Sequence, residues 1–289
     1  MLISVAGGFL FVYSQNMIGV FDSGYGGLTV FKPLAEHFPK YDFIYFGDNA
    51  RAPYGSRSQE DIYKYTLEAV DWLFRQKCEL IILACNTASS QALRKIQQDP
   101  PAGGLPAKWP DKKVLGVLIP VAQAVAKLNG TVGILATQAT VKSGAYLREI
   151  HKLVKHSMFD KFDIIQAAAP LLVPLIESGK IDNPETKDAV HEYLKEFKKD
   201  GVKNIILGCT HYPFIKHLIQ AEMPETKIFD SPSIIPASLK SYLARHPEIE
   251  KCLSRNGIRR YATTGDPKKF SKFAKDFLKI EIVPEKVKL

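Results

Sequence analysis

The chain is poor in the features that would tie it to a metal, a nucleotide, an oxidising compartment or a membrane. Only four cysteines, Cys78, Cys85, Cys209 and Cys252, occur in 289 residues, and no two have CxxC spacing. A protein of this size has core enough to fold without staples, so the thiols read as free and the compartment as reducing. His37, His151, His156, His191, His217 and His246 sit in helical or surface contexts and lack zinc-ligand spacing. The glycine-rich stretch Asp22-Ser23-Gly24-Tyr25-Gly26-Gly27 fails the dinucleotide pattern, and no Gly-Lys-Ser/Thr follows it. No apolar run is long enough to span a bilayer. The apolar stretch Met1 to Asn16 has no Lys or Arg ahead of it, so it makes a poor signal peptide. It reads as an extension, or as the product of a start upstream of Met17. A cytoplasmic protein is expected.

What is present is ordinary for a soluble globular chain: 46% hydrophobic and 24% charged residues. The length suits one large or two medium domains. The net charge is +9, with Arg259, Arg260, Lys268, Lys269, Lys272 and Lys275 thickening the basic end. No aromatic-interleaved basic motif accompanies them, so they read as a solvated face rather than a nucleic-acid patch. A positive field also suits a small anionic substrate. Cys78 and Cys252 read as small buried hydrophobes.

Strand and helix patterns alternate from Met17 onward, which predicts an α/β fold with mainly parallel sheets flanked by helices. The pattern also repeats. Ile18-Gly19-Val20-Phe21 is echoed by Val132-Gly133-Ile134-Leu135, and Tyr41-Asp42-Phe43-Ile44 by Phe162-Asp163-Ile164-Ile165. Ile81-Ile82-Leu83-Ala84-Cys85 is echoed by Ile205-Ile206-Leu207-Gly208-Cys209. Three echoes in one order, at nearly one offset, predict two similar halves. Each cysteine ends a strand and precedes residues suited to a helix N-cap, where open α/β sheets bind ligands and the helix dipole favours a thiolate.

Two such thiols facing one cleft could act as paired acid and base. One would remove a proton from a carbon while the other delivers a proton to the opposite face, inverting a stereocentre without a cofactor. Cys209-Thr210-His211 alone also fits a nucleophile with its base.

These residues resemble the glutamate racemases of the aspartate/glutamate racemase superfamily. The resemblance covers roughly Met17 to Leu243. It rests on Phe21 to Gly27, Gly47-Asp48 with Pro53-Tyr54-Gly55, Cys85-Asn86-Thr87-Ala88-Ser89, and Gly208-Cys209-Thr210-His211-Tyr212-Pro213. It implies two pseudo-two-fold-related domains, with the active site in the cleft between them. The first would comprise 17–113 and 231–289, the second 114–230, with 1–16 outside both. It implies that Cys85 exchanges the α-proton of D-glutamate and Cys209 that of L-glutamate, with Asp22 assisting the first and His211 the second. Asp22, Ser23, Tyr54, Gly55, Asn86, Thr87, Thr210 and His211 would hold the substrate, supported by the acidic Asp48 and Glu177. The product would be D-glutamate for peptidoglycan, made without cofactor or metal by a homodimer with no membrane or nucleic-acid partner. The extension before Met17 and the long Pro/Gly-rich connection Asp99 to Lys113 depart from the shared pattern. Two other readings fit the residues: a racemase for aspartate or another amino acid, and a binding protein whose interdomain cleft takes an anion. A nucleic-acid role for the basic tail would be additional to catalysis.

Overall fold

The computed structural model describes residues 3–6, 9–12, 16–98, 108–128, 130–154 and 163–289. Most of the connection expected over Asp99 to Lys113, and the start of the strand expected at Phe162, lie outside them. β1 (Ile3–Ala6) and β2 (Phe9–Val12) form a separate antiparallel pair. β3 (Met17–Asp22) is buried at every position, as a strand covered by helices on both faces must be. It lies inside a parallel sheet with β4 (Phe43–Gly47), β5 (Cys78–Leu83), β6 (Lys113–Gly116), β11 (Arg259–Thr263) and β12 (Glu285–Lys286). The order is β12-β11-β4-β3-β5-β6. A second parallel sheet holds β7 (Val132–Ala136), β8 (Ile164–Ala168), β9 (Asn204–Gly208) and β10 (Lys227–Asp230), in the order β10-β9-β7-β8.

Read from the second strand of each half, the orders match: β4-β3-β5-β6 and β8-β7-β9-β10. The three sequence echoes fall on corresponding strands, so the two halves share one topology. In this winding the direction reverses between the first and third strands, and ligands bind beyond their carboxyl ends. Those ends carry Asp22 and Cys85 in the first half, and Ala136 and Cys209 in the second.

Period-two alternation sends side chains to both faces. Phe21, Phe46 and Ile81 meet Val70 and Leu73 of the helix Gln59–Arg75. Ile18, Val20, Phe43 and Tyr45 meet Leu28 and Phe31 of the helix Leu28–His37. Each large apolar side chain buried this way contributes about 1.5–3 kcal/mol. Gly19 leaves room for this packing, since a Cβ there would stand 3.0 Å from Cys78 Sγ. Cys78 is therefore the buried hydrophobe expected, whereas Cys252 is exposed.

The sequence division at Val114 falls inside a strand of the first sheet. Lys113–Gly116 pairs with Leu80–Leu83, and strand character alone does not say which sheet a strand joins. The crossing follows Val117. The helix Leu118–Val125 packs Leu118, Val121, Ala122 and Val125 into the second core. The helix Ser231–Arg245 returns Ile235, Leu239 and Leu243 to the first. After β7 comes the helix Gln138–Ser143, whose six residues are too few to display helical periodicity in the sequence. The basic end is structural where it enters the sheet. Arg259 donates to the carbonyls of Ala35, Phe38 and Pro39 at the end of a helix, and Arg260 pairs with Glu285. Among the described residues no helix is long and apolar enough to cross a membrane.

Candidate active site

Both cysteines open onto one cleft between the sheets. Ser23, Gly24, Tyr54, Gly55, Cys85, Asn86 and Thr87 line it from the first half; Thr137, Glu177, Cys209, Thr210 and His211 line it from the second. Ala169, Pro170, Val173 and Pro174 make an apolar wall.

Cys85 caps the helix Asn86–Gln91, its Sγ accepting from the Ala88 amide at 3.4 Å. Ser23 Oγ lies 3.4 Å from the same sulfur. Burial pushes the Cys85 thiol up to about 12, and the Asp22 carboxylate adds to this against the Ser23 and Ala88 contacts. Asp22 is fully buried and is not among the lining residues. Its carboxylate accepts from the Gly24 amide at 2.9 Å and from Thr210 Oγ1 at 3.3 Å. Burial raises its carboxyl above the usual range, while the nearby His211 works in the opposite direction.

Cys209 is not a helix cap. After β9 the chain turns through Thr210 and His211 into a short 3-10 segment, Tyr212–Ile215, and the helix Lys216–Glu222 begins only afterwards. Pro213 has no N–H to close an α-helical turn. The expected helix N-terminus beside this thiol is therefore absent. A side chain stands there instead: His211 Nδ1 is 3.8 Å from Cys209 Sγ, and its Nε2 is 2.9 Å from Glu177 Oε1. Burial disfavours the His211 cation, but Cys209 and Glu177 outweigh it and raise the imidazole to about 10.

The halves interlock around these groups. Thr29 Oγ1 of the first half donates to the Thr210 carbonyl at 2.9 Å. Thr87 Oγ1 is 2.9 Å from Thr137 Oγ1, which also donates to Thr140. Tyr146 donates to Asn86 Oδ1 at 2.7 Å. The Asn86 Nδ2 is buried with no partner among the described residues, a free donor on a residue that lines the cleft. Gly26 and Gly55 permit the close approach. A Cβ on Gly26 would stand 2.5 Å from His211 Nδ1, and one on Gly55 would stand 2.9 Å from Thr137 Cβ. The C-terminal helix Pro267–Leu278 brings Phe273 edge-on to His211.

Of the residues expected at the site, Ser23, Tyr54, Gly55, Cys85, Asn86, Thr87, Glu177, Cys209, Thr210 and His211 line the cleft, while Asp22 and Asp48 lie behind the lining. Asp48 is fully buried and accepts from Tyr54, from Arg51 Nε at 2.7 Å and from Thr264 Oγ1 at 2.7 Å. It anchors the turn carrying Tyr54 and Gly55. Sequence reasoning missed Thr137, Thr140 and Tyr146. The repeat held a signal for the first: with Gly19 set on Gly133, Thr137 occupies the place of Ser23. Among the described residues no cluster of three or more His, Cys, Asp or Glu side chains is placed to hold a metal.

Repeated α/β halves that meet at their switch points, each giving a cysteine to a shared cleft lined with hydroxyl and amide donors, define the class of protein. The chain belongs to the Asp/Glu/hydantoin racemase family, whose model matches residues 26–237. It is 39% identical over 275 residues to a glutamate racemase of Sulfurihydrogenibium sp. (strain YO3AOP1), covering 94% of this chain and 97% of that one. The solved glutamate racemase of Francisella tularensis in complex with D-glutamate superposes with a TM-score of 0.82 at 35% identity, over 95% and 98% of the two chains. A glutamate racemase isoform from Bacillus anthracis gives 0.84 at 29%, over 96% and 99%.

Proposed function

We propose that the protein interconverts L- and D-glutamate by proton transfer between the α-carbon and two thiols. The observation that carries this reading is the convergence of Cys85 and Cys209 from corresponding strand ends onto one cleft. In one direction the Cys209 thiolate takes the α-proton of L-glutamate and becomes a thiol. The Cys85 thiol delivers its proton to the opposite face and becomes a thiolate. The reverse direction exchanges the roles. The carbanion character at the α-carbon calls for fixed donors away from water. Asn86 Nδ2, the hydroxyls of Ser23, Thr87, Thr137 and Thr210, and the Tyr54–Gly55 turn would bind the two carboxylates.

Asp22 and Asp48 act from behind the lining. Asp22 fixes Thr210 and the Gly24 turn, and Asp48 fixes Tyr54. Glu177 holds His211 against Cys209. The D-glutamate formed would supply peptidoglycan synthesis in the cytoplasm, from a homodimer; rescue of a D-glutamate auxotroph and sedimentation of the purified chain test these two points.

The decisive experiment is deuterium entry at Cα of L- and D-glutamate in heavy water, with aspartate in parallel. Exchange with inversion on glutamate is expected. Exchange on aspartate instead would move the substrate, and no exchange from folded, reduced protein would overturn the reading.

A further inference from the structure

Arg51 stands just before the turn that carries Tyr54 and Gly55, and it does not line the cleft. It reaches the site through Asp48. Among the described residues its guanidinium is the one ion-pair partner of that fully buried carboxylate. Asp48 Oδ2 accepts from both Tyr54 and Arg51 Nε, while Oδ1 accepts from Thr264. Charge-assisted bonds of this kind are short and directed. Taking Arg51 away would leave the carboxylate buried and uncompensated.

The far side of the guanidinium is fixed as well. Its Nη1 donates to Glu68, and its Cζ lies 4.1 Å over the Tyr65 ring. Both belong to the helix Gln59–Arg75, whose Val70 and Leu73 are packed into the first core. The Arg51 carbonyl in turn accepts from Arg57 Nε at 2.6 Å, so the turn between them is closed at its base. A planar guanidinium can serve two carboxylates and an aromatic face at once; an ammonium supplies the charge without the plane. The turn held this way meets the second half directly, since a Cβ on Gly55 would stand 2.9 Å from Thr137 Cβ.

We infer that Arg51 is a positioning residue for the substrate: acting through Asp48 and Tyr54, it holds the Tyr54–Gly55 turn against the cleft, where the turn binds a substrate carboxylate. The inference rests on the proposed reaction for the identity of that substrate. A parent protein unable to racemise glutamate would remove the proposed reaction. An active parent with unaffected Arg51 variants would remove this inference alone. A contact made equally in ground and transition states governs KM rather than kcat.

Steady-state racemisation of L- and D-glutamate by the whole chain, followed by circular dichroism, tests it. Arg51→Met should raise KM roughly tenfold for both enantiomers, with kcat held within about twofold. Arg51→Lys, which restores the charge without the fork, should recover part of the loss. Arg75→Gln, which removes an exposed cation from the end of the same helix, should behave as the parent does. A double-mutant cycle then separates positioning from packing. In an Asp48→Asn background Arg51→Met should raise KM no further, because the carboxylate it serves is gone. Where Arg51→Met does not fold, the same cycle with Arg51→Lys carries the test. An unchanged KM in folded Arg51 variants, a loss confined to kcat, or equal losses in the two backgrounds would overturn the inference.

Discussion

The two halves share a strand order yet prepare their thiols in opposite ways. Around Cys85 the neighbours are a helix N-terminus, the Ser23 hydroxyl and a buried carboxylate, and burial with Asp22 drives the thiol upward. Around Cys209 the helix start is displaced, and a histidine held by Glu177 supplies the positive charge. At the place of Asp22 the second half has Ala136; at the place of Thr87 it has His211. The repeat brings two cysteines from corresponding strand ends to one cleft, and the inversion proposed for the protein needs two acid–base groups of the same kind. Divergence of their neighbours lets one thiol carry a proton while a cation stands beside the other. The fold is symmetric and the electrostatics are not.

The largest effects come from removing one side altogether. Cys85→Ala or Cys209→Ala should lower inversion by about a thousandfold or more. Residual deuterium entry should then be confined to one enantiomer, D-glutamate when Cys85 remains and L-glutamate when Cys209 remains. NMR of each enantiomer in heavy water reads this. Equal residual exchange on both enantiomers in either variant would show that the thiols are not facing each other across the substrate. Next comes the contact between the halves. Gly26→Ala places a methyl group 2.5 Å from His211 Nδ1 and Thr210 Oγ1 and must push the Cys209 side outward. A misplacement of about 1 Å can cost on the order of a hundredfold in rate, with about 1–3 kcal/mol of stability lost to overpacking. Gly55→Ala, whose nearest contact is Thr137 Cβ at 2.9 Å, should cost less on both counts.

How far the sequence carried these expectations depends on the range over which each signal acts. Strand-ending cysteines and the repeated Ile-Ile-Leu runs are local patterns, and they led to the α/β class, the doubling and the two thiols of the cleft; the other cleft residues were expected only through the family resemblance. Register is not local: nothing in Val114 to Gly116 says that it pairs with β5. Side-chain direction is not local either. The resemblance puts Asp22 at the substrate, but its carboxylate is buried and accepts from the Gly24 amide of the turn that follows, behind the lining of the cleft. His211 is visible as a candidate; its partner Glu177 sits on a separate helix, and only packing brings the two within 2.9 Å. Thr140 and Tyr146 lie on short helices with no motif, and their role appears only through the bonds they make to Thr87 and Asn86.

The His211–Glu177 pair offers a gentler test of the asymmetry. A histidine raised to about 10 in the folded chain, from an ordinary 6.5, contributes stability that is complete below about pH 6.5 and is lost as pH climbs toward 10. The raised Cys85 thiol penalises high pH in the same sense above its ordinary 9.0, so the parent protein alone does not separate the two. Glu177→Gln does. It removes the anion that holds the imidazolium and leaves Cys85 and its neighbours in place. The difference in unfolding midpoint between parent and variant should therefore shrink from pH 6.5 to pH 10, and the variant's rate should fall by roughly tenfold with an earlier alkaline limb. A pH-independent difference would mean that Glu177 acts through packing alone.

The smallest expected effect tests the first half from a distance. Tyr146→Phe removes the hydroxyl that crosses from the second half to Asn86 Oδ1 and leaves that oxygen buried without its donor. The loss should be about 1–3 kcal/mol of stability. Asn86 would then be free to turn its amide, so its Nδ2 would no longer be held in one position. If Asn86 binds substrate equally in ground and transition states, KM should rise a few-fold while kcat holds. If its donor acts mainly on the developing charge, kcat should fall and KM should stay. The split between the two constants decides which task the first half gives to its amide.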